Sequence, residues 1–514
     1  MRRVLPPRGT LVAPDPGRLR LRHALRAVLG VGLAVAGAVA AGLPLKAAIT
    51  GGLAALLALF VVTDPTVRRQ AGTAALLPLA GLPVLTLAAW LHALPLARDA
   101  AFLAVALAGA YARRWGPRGH ALGVFGFMMF FAAQFLATTP AQLPPLYAAV
   151  LLAVAIAAAV RFGVWCIERR TPPPAAPAPE EGRGLARPTT RLALQATAAC
   201  AFALLAGQVL SQERWYWAVG AAWWIFVNTA SRGETLVRGF RRVLGTVAGI
   251  GAGLLVAVPV HGAPVPTAAL VAVCVFGIFY TAAVSYSWMM FFVTVMVGLL
   301  YGLLGMLHPG LLGLRLVETA AGALGAALAV ALVLPVTTHA ATSAWIARAL
   351  HCVQDCARDA ARRLAGDATA DPAPRVAELE LLLGRVRTSV APLVHPLSPL
   401  RARRARARRV LELLDDCAAQ VRGLAEVAAD PAASHDARLT AACERVETAV
   451  QRLVAPGDAA APASAGARAA VPHAPPATDR ALTHLHGLET ALSGLAGPLH
   501  HGPNERAGAY GLTS

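Results

Sequence analysis

Residues 146–167 read LYAAVLLAVAIAAAVRFGVWCI, twenty-two positions with one charged side chain, Arg161. A helix rises 1.5 Å per residue, so this stretch is long enough to cross the roughly 30 Å hydrocarbon core of a bilayer. The same kind of stretch recurs along the first two thirds of the chain. Twelve spans are predicted: Ala24 to Pro44, Ala47 to Thr63, Gly72 to Leu91, Asp99 to Tyr111, Ala121 to Thr138, Leu146 to Ile167, Arg191 to Leu210, Trp215 to Ala230, Val243 to Val260, Thr267 to Ala282, Ser287 to Leu307, and Leu311 to Pro335. The fourth is the shortest and has Asp99 at its edge. The first follows an arginine-rich start and contains Ala38-Val39-Ala40, which resembles a signal-peptidase site. Its spanning length, and its place in the repeat described below, predict a retained helix.

Composition agrees with a bilayer-embedded part followed by a water-exposed part. Of 514 residues 57% are hydrophobic and 14% charged, against about 25% charge in a soluble domain. Charge is sparse between Ala24 and Pro335 and returns beyond Thr338. The formal net charge of +19 does not point to nucleic acid, because many arginines sit in short loops between apolar stretches, where cytoplasmic loops collect basic residues. Of 46 basic residues only Lys46 is a lysine, a bias typical of a GC-rich bacterial genome.

The loop charges assign sidedness. With the N-terminus inside, inner loops carry Arg68 and Arg69, then Arg113, Arg114 and Arg118, then Arg169 and Arg170, then Arg232, Arg238, Arg241 and Arg242. The other side keeps Lys46, Arg98 and Arg214. The asymmetry predicts an even number of spans with both termini cytoplasmic. The Ser285-Tyr286-Ser287 connection is the one inner turn without a basic residue.

The two halves echo each other. Val62-Thr63, Arg68-Arg69 and Gly72-Thr73 match Asn228-Thr229, Arg241-Arg242 and Gly245-Thr246 in order, and Phe127-Met128-Met129-Phe130-Phe131 matches Trp288-Met289-Met290-Phe291-Phe292. The fold class expected is therefore an all-α membrane protein of twelve transmembrane helices in two parallel six-helix repeats, with a C-terminal cytoplasmic helical bundle. Substrate paths tend to lie between such repeats. The domains expected are 1–167 (first repeat), 168–190 (a Pro/Ala-rich cytoplasmic linker), 191–337 (second repeat) and 338–514 (cytoplasmic helices). In the last, Trp345, Ala349, Cys352, Cys356 and Ala360 keep helical spacing, and residues near 459–476 read as disordered.

Seven cysteines form no CxxC pair or Cys/His ligand spacing, so no zinc site or disulfide framework is indicated. Cys352 and Cys356, one helical turn apart, read as packing residues. No Walker motif, Ser/His/Asp order or metal-ligand helix occurs. No enzyme activity, cofactor or metal is expected.

The sharpest local pattern is Arg242-Val243-Leu244-Gly245-Thr246-Val247-Ala248-Gly249. Gly245 and Gly249 have small-xxx-small spacing for close helix approach. Arg242 is either an anion contact for a substrate entering from the cytoplasm or an ordinary inner anchor. Arg315 and Glu318, three residues apart, share a helix face within the bilayer. Buried charges there face a partner or an aqueous path, so Glu318 is either a proton-accepting group with Arg315 beside it or half of a neutralised structural pair. Trp224 is either a stacking surface for an aromatic substrate or a core residue. Trp215 and Trp217 read as an interfacial belt, Asp64 as a helix cap, and Arg161 as a snorkelling side chain. In the tail, Arg401, Arg403, Arg404, Arg406, Arg408 and Arg409 fall within nine positions. They read as contacts to anionic lipid headgroups or as a solvated face.

Several of these elements together resemble the fusaric-acid-resistance (FUSC) family of bacterial membrane proteins. They are Trp215-Tyr216-Trp217-Ala218, Glu234-Thr235, the Arg-x-x-Gly-Thr-x-x-Gly run from Arg242, and Arg315-Leu316-Val317-Glu318-Thr319 with Gly322 and Leu334-Pro335. The resemblance is best over Gln212 to Pro335. It is weaker in the first repeat, which keeps Arg69-Gln70-Ala71-Gly72-Thr73 but has no match to Arg315 and Glu318. It implies an exporter of weak organic acids, aromatic ones included, in the bacterial plasma membrane. The substrate-path candidates are then Arg242, Gly245, Thr246, Arg315, Glu318 and Trp224. The partners expected are the bilayer, a small organic anion, anionic lipid and a second copy of the chain, and no nucleic acid. The rival readings are a major-facilitator-type transporter, which also has six plus six spans, and a non-transporting envelope scaffold.

Overall fold

The computed structural model describes residues 18–163, 184–227, 229, 232–260, 262–307, 309–334, 338–364, 367, 369–394, 401–428, 437–454 and 476–500. The core of the expected linker, 168–183, and the Ala/Pro-rich stretch 459–475 lie outside these residues. Among the described residues all regular structure is helical. The chain divides into two compact units, Met1–Pro335 and Val336–Ser514.

Unit one holds twelve α-helices among its described residues: α1 (Leu19–Ala40), α2 (Leu45–Val61), α3 (Val67–Trp90), α4 (Pro95–Tyr111), α5 (Gly116–Phe135), α6 (Leu143–Gly163), α7 (Pro188–Leu210), α8 (Tyr216–Phe226), α9 (Arg232–Val260), α10 (Pro264–Ala282), α11 (Tyr286–Leu303) and α12 (Pro309–Leu332). Eight regions are long and apolar enough to cross a membrane: α1, α3, α6 with the short turn before it, α7, α9, α10, α11 and the Gly313–Leu332 part of α12. The chain is thus a multi-pass membrane protein. Of the other four helices, α2 is apolar but shorter. At eleven residues α8 covers only about 16 Å, and residues 211–215 before it and Val227 after it are not helical.

Local chemistry sets the helix ends. Pro95, Pro188 and Pro264 open α4, α7 and α10, where a missing N–H costs nothing because the first turn has no intrahelical acceptor. The turn before α10 passes through Gly262 at φ +70°, a conformation that favours glycine. Here a Cβ would also meet the Gly302 backbone. The Thr66 hydroxyl caps α3 by accepting from the Arg69 N–H at 3.3 Å. The expected cap, Asp64, does not act there. It is buried, and its carbonyl oxygen accepts from the Gln70 side chain at 2.8 Å.

The helices pack in a reciprocal pattern. α1 packs on α2 and α6 as α7 packs on α8 and α12, α2 on α6 as α8 on α12, and α3 on α5 as α9 on α11. Between the halves, α1 lies against α10 and α7 against α4. The α9–α11 approach is the tightest to justify. A Cβ on Gly245 would lie 2.8 Å from the Met290 Cβ, and one on Gly249 2.7 Å from the Thr294 Cβ and 2.8 Å from the Phe291 carbonyl oxygen. The two glycines, one turn apart, let the backbones meet.

Unit two has five helices among its described residues, α13 (Thr338–Leu364), α14 (Ala373–Val394), α15 (Arg401–Ala428), α16 (Ala437–Val454) and α17 (Pro476–His500). Their apolar faces share one core that includes Leu350, Val386, Leu414, Val446 and Leu488. Exposed ion pairs link them: Arg358 to Glu447 between α13 and α16, and Arg445 to Glu489 at 3.2 Å between α16 and α17. Arg358 beside Glu447 holds that carboxyl below its ordinary range. Cys352, Cys356 and Cys417 are buried in this core, and burial pushes the Cys417 thiol up to about 12. They pack as small apolar groups.

The α9–α11 contact is open to test. Gly249→Leu should destabilise unit one by about 1–3 kcal/mol, the usual range for overpacking, read as a lower melting midpoint in detergent. Gly251→Leu, on a face with nothing within 4 Å, should leave the midpoint in place.

Candidate functional site

Unit one contains a cavity of about 410 Å³ walled by α1, α2, α5, α8, α9, α10, α11 and α12. It therefore lies between the two halves of the unit. The wall is overwhelmingly apolar. Aromatic rings come from Phe60, Phe131, Phe135, Trp217 and Trp224, and thioethers from Met128, Met289, Met290 and Met296. Methionine is flexible and polarisable, so such a wall adapts to occupants of different shape. Two charged side chains reach it, Arg242 and Arg315.

Arg242 sits on α9, only 7% exposed. Its Nη1 donates to the Tyr286 hydroxyl at 3.1 Å and lies 3.1 Å from the Met290 sulfur. One turn earlier the Arg238 guanidinium lies 4.1 Å from the centre of the same Tyr286 ring. The Arg242 Nε has no hydrogen-bond partner among the described residues. Gly245 and Thr246 follow on the same helix, and both are buried against neighbours rather than exposed to the cavity. Gly245 contributes the close α9–α11 approach that brings Arg242 to Tyr286.

Arg315, on α12, is 5% exposed. Its guanidinium lies 3.7 Å from the centre of the Trp217 ring, a cation–π contact. The Trp217 indole in turn donates to the Tyr301 hydroxyl at 2.6 Å. This fixes the ring on which the charge rests. Arg315 Nε and Nη1 have no hydrogen-bond partner among the described residues. One turn on, Glu318 is 0% exposed and neither carboxylate oxygen has a hydrogen-bond partner among the described residues. No ion pair within 4.0 Å joins the two. Sharing a helix face has not made them a bonded pair. Unpartnered buried donors and acceptors are costly, so each is a position where an occupant or a proton has something to gain.

Trp224 is half-buried in the wall, its indole nitrogen 3.2 Å from the Met128 sulfur, and it meets Trp223 edge-on at 5.9 Å. Trp223 faces away from the cavity, stacked on Phe127 at 4.0 Å and donating to the Ala106 carbonyl oxygen at 3.2 Å.

Three expectations change. Trp215 and Trp217 do not form an exposed belt. They are 2% and 9% exposed, because α8 is surrounded by α5, α7, α9 and α12. Arg161 does not snorkel. At 8% exposure it donates to the carbonyl oxygens of Ala58 (3.1 Å), Leu59 (2.9 Å) and Val62 (2.9 Å). It thereby satisfies the last turn of α2, where the helix dipole is negative. Asp64 is buried in the turn beyond, with Oδ2 unpartnered among the described residues. The residues that reading along the chain missed are Tyr286 and Tyr301. Tyr286 stands between Ser285 and Ser287 in a turn and Tyr301 within an apolar stretch, and neither pattern marks a partner for an arginine.

In unit two Arg406, Arg408 and Arg409 are exposed, and Arg409 pairs with Glu412 at 3.6 Å. The side chains of Arg401, Arg403 and Arg404 lie outside the described set. Among the described residues no group of three or more His, Cys, Asp or Glu is placed to hold a metal ion.

Residues 200–347 match a family model described as fusaric acid resistance protein-like. No curated protein and no solved structure matches the chain. The matched segment contains Trp217, Trp224, Arg242, Tyr286, Arg315 and Glu318, and so supplies both guanidinium groups of the cavity. This is a multi-pass membrane protein whose residues 200–347 are similar to the fusaric acid resistance protein-like family.

Proposed function

We propose that the protein is a transporter that moves weak organic acids, aromatic ones among them, outward across the bacterial plasma membrane. The observation that carries this reading is the pairing of two buried, incompletely bonded guanidinium groups with an apolar, aromatic-walled cavity. A carboxylate satisfies the open Arg242 and Arg315 donors, and a ring or short chain fills the space among Phe60, Phe131, Trp217 and Trp224. Guanidinium suits this task because its planar fork matches a carboxylate and stays charged. The volume falls within the usual range for small-molecule sites.

In this reading the twelve helices of unit one are twelve spans in two parallel repeats, residues 1–167 and 191–337 joined by the 168–190 linker. The reciprocal packing of α1 to α6 and of α7 to α12 supports it, as does the placing of the cavity between the halves. Both termini are cytoplasmic, as the arginine-bearing loops favour. Residues 338–514 then form a cytoplasmic helical domain, and the exposed arginines at the start of α15 meet anionic headgroups. Glu318 serves as the proton-accepting group. Its full burial, with neither oxygen bonded, supports that role, since a carboxyl with no donor nearby gains from a proton.

Two experiments test the reading. In proteoliposomes, Arg315→Gln should weaken binding and flux of labelled benzoate about 10–100-fold, the worth of one or two charge-assisted hydrogen bonds. Unchanged benzoate binding in that variant removes the assignment. Glu318→Gln should retain benzoate binding while abolishing benzoate-dependent proton flux, and proton flux equal to the parent's means that the proton moves elsewhere.

A further inference from the structure

The halves meet along two seams, α1 with α10 and α4 with α7, and the two are built differently. The α4/α7 seam is bridged by polar and aromatic contacts. Near one end Gln208 donates to Asp99 at 2.5 Å, and the Arg98 guanidinium lies 4.7 Å from the Trp215 ring centre. Beside it the fully buried Phe102 of α4 stacks on Phe130 and Phe127 of α5 in its own half, at 4.7 Å and 5.3 Å, and meets Trp215 of the other half edge-on at 5.8 Å. The Trp223 indole is bonded to the Ala106 carbonyl.

The α1/α10 seam is tied at the end where α1 begins, with the Arg20 guanidinium 5.0 Å from the Tyr280 ring centre. Towards the other end the facing residues line the cavity instead. On α1 these are Val31, Val35 and Val39, four residues apart on one face, and on α10 they are Pro264, Ala268 and Val271. At that end the wall is also outer surface. Val39 is 63% and Leu45 44% exposed, and Pro264 and Ala268 are exposed as well. The exposed lining residues at the mouth, Val39, Leu45, Pro264 and Ala268, are apolar, and Lys46 beside them is held back by donating to the Leu136 carbonyl oxygen at 2.7 Å. The unpartnered Arg242 Nε and Arg315 Nε and Nη1 lie on the same cavity's wall.

We propose that the cavity exchanges its occupant sideways with the bilayer through the α1/α10 seam beside the α1–α2 turn, and that the occupant taken by this route is a single-tailed carboxylate dissolved in that leaflet. This rests on the reading of the cavity as an organic-acid site. The apolar mouth lets a hydrocarbon tail remain in contact with lipid or with Val39, Leu45 and Ala268 throughout entry, so no apolar surface meets water. The guanidinium groups select the carboxylate end. A two-tailed zwitterionic lipid lacks a free carboxylate and brings a second tail that a cavity of this volume does not house.

Fluorescence quenching in phosphatidylcholine nanodiscs tests the route. Bromine quenches tryptophan only near contact, and Trp224 reports from the cavity wall, its share of the signal taken by difference from Trp224→Phe. A dibrominated stearate should quench the Trp224 share. The double variant Val39→Phe, Ala268→Phe should slow that quenching at least about fivefold, since it narrows the mouth by two ring volumes. The control Val265→Phe, 79% exposed and outside the cavity wall, should not. A melting midpoint in detergent equal to the parent's shows that the double variant is folded. Quenching at the parent's rate in the double variant overturns the proposal. So does equal quenching by dibrominated phosphatidylcholine, which would make the mouth an unselective lipid crevice. Stearate quenching without any benzoate binding in the parent overturns the organic-acid reading and leaves the side route. Benzoate binding without stearate quenching overturns the side route alone.

Discussion

The close approach of α9 to α11 is the constraint on which the site depends. Gly245 and Gly249 leave no room for a side chain between the two backbones. In hydrocarbon there is little hydrophobic gain from pressing helices together, so contact and hydrogen bonding must supply the attraction. The approach places Arg242 of α9 against Tyr286 and Met290 of α11. It also holds α11, with its methionines, as one wall of the cavity. Were either glycine larger, α11 would move outward and the Arg242 guanidinium would lose its hydroxyl acceptor.

The second guanidinium is held by a different device. Arg315 rests on the face of Trp217, which is itself pinned to Tyr301. An aromatic face gives a cation part of what water would give, without supplying an acceptor that competes with a ligand. The two arginines are thus stabilised enough to stay in the interior and left with unused donors. Arg161 shows the contrast. Its bonds run to three carbonyl oxygens at the end of α2, and its role is structural. Burial alone does not distinguish these arginines, whereas the identity of the partner does.

The asymmetry between halves has the same origin in particular side chains. Two seams join the halves, and beside one of them Phe102, Phe127, Phe130 and Trp223 pack ring on ring. At the other seam valines and alanine stand where the first has rings, and space remains. Similar helices in similar order therefore give one seam bridged by rings and one with a cavity. The difference rests on residue size, not on topology.

The sequence by itself determined that unit one is a series of apolar helices and that the chain's character changes near residue 336, and it named Arg242, Arg315 and Glu318 as candidates. Hydrocarbon demands long uncharged stretches with backbone groups bonded internally, and that demand leaves its mark residue by residue. The Gly-x-x-x-Gly spacing likewise announced the α9–α11 contact before its partner was known. Only the tertiary structure decided which charged residues share a cavity, because Arg242 and Arg315 are brought together by the packing of α9 against α12, not by spacing along the chain. It also turned Trp217 from a belt residue into the platform for Arg315, and Arg161 from a snorkelling side chain into a cap on α2. A tryptophan or arginine near the end of an apolar stretch reads the same whether lipid or protein surrounds that end. What surrounds it is fixed by long-range packing, which one stretch of sequence does not encode.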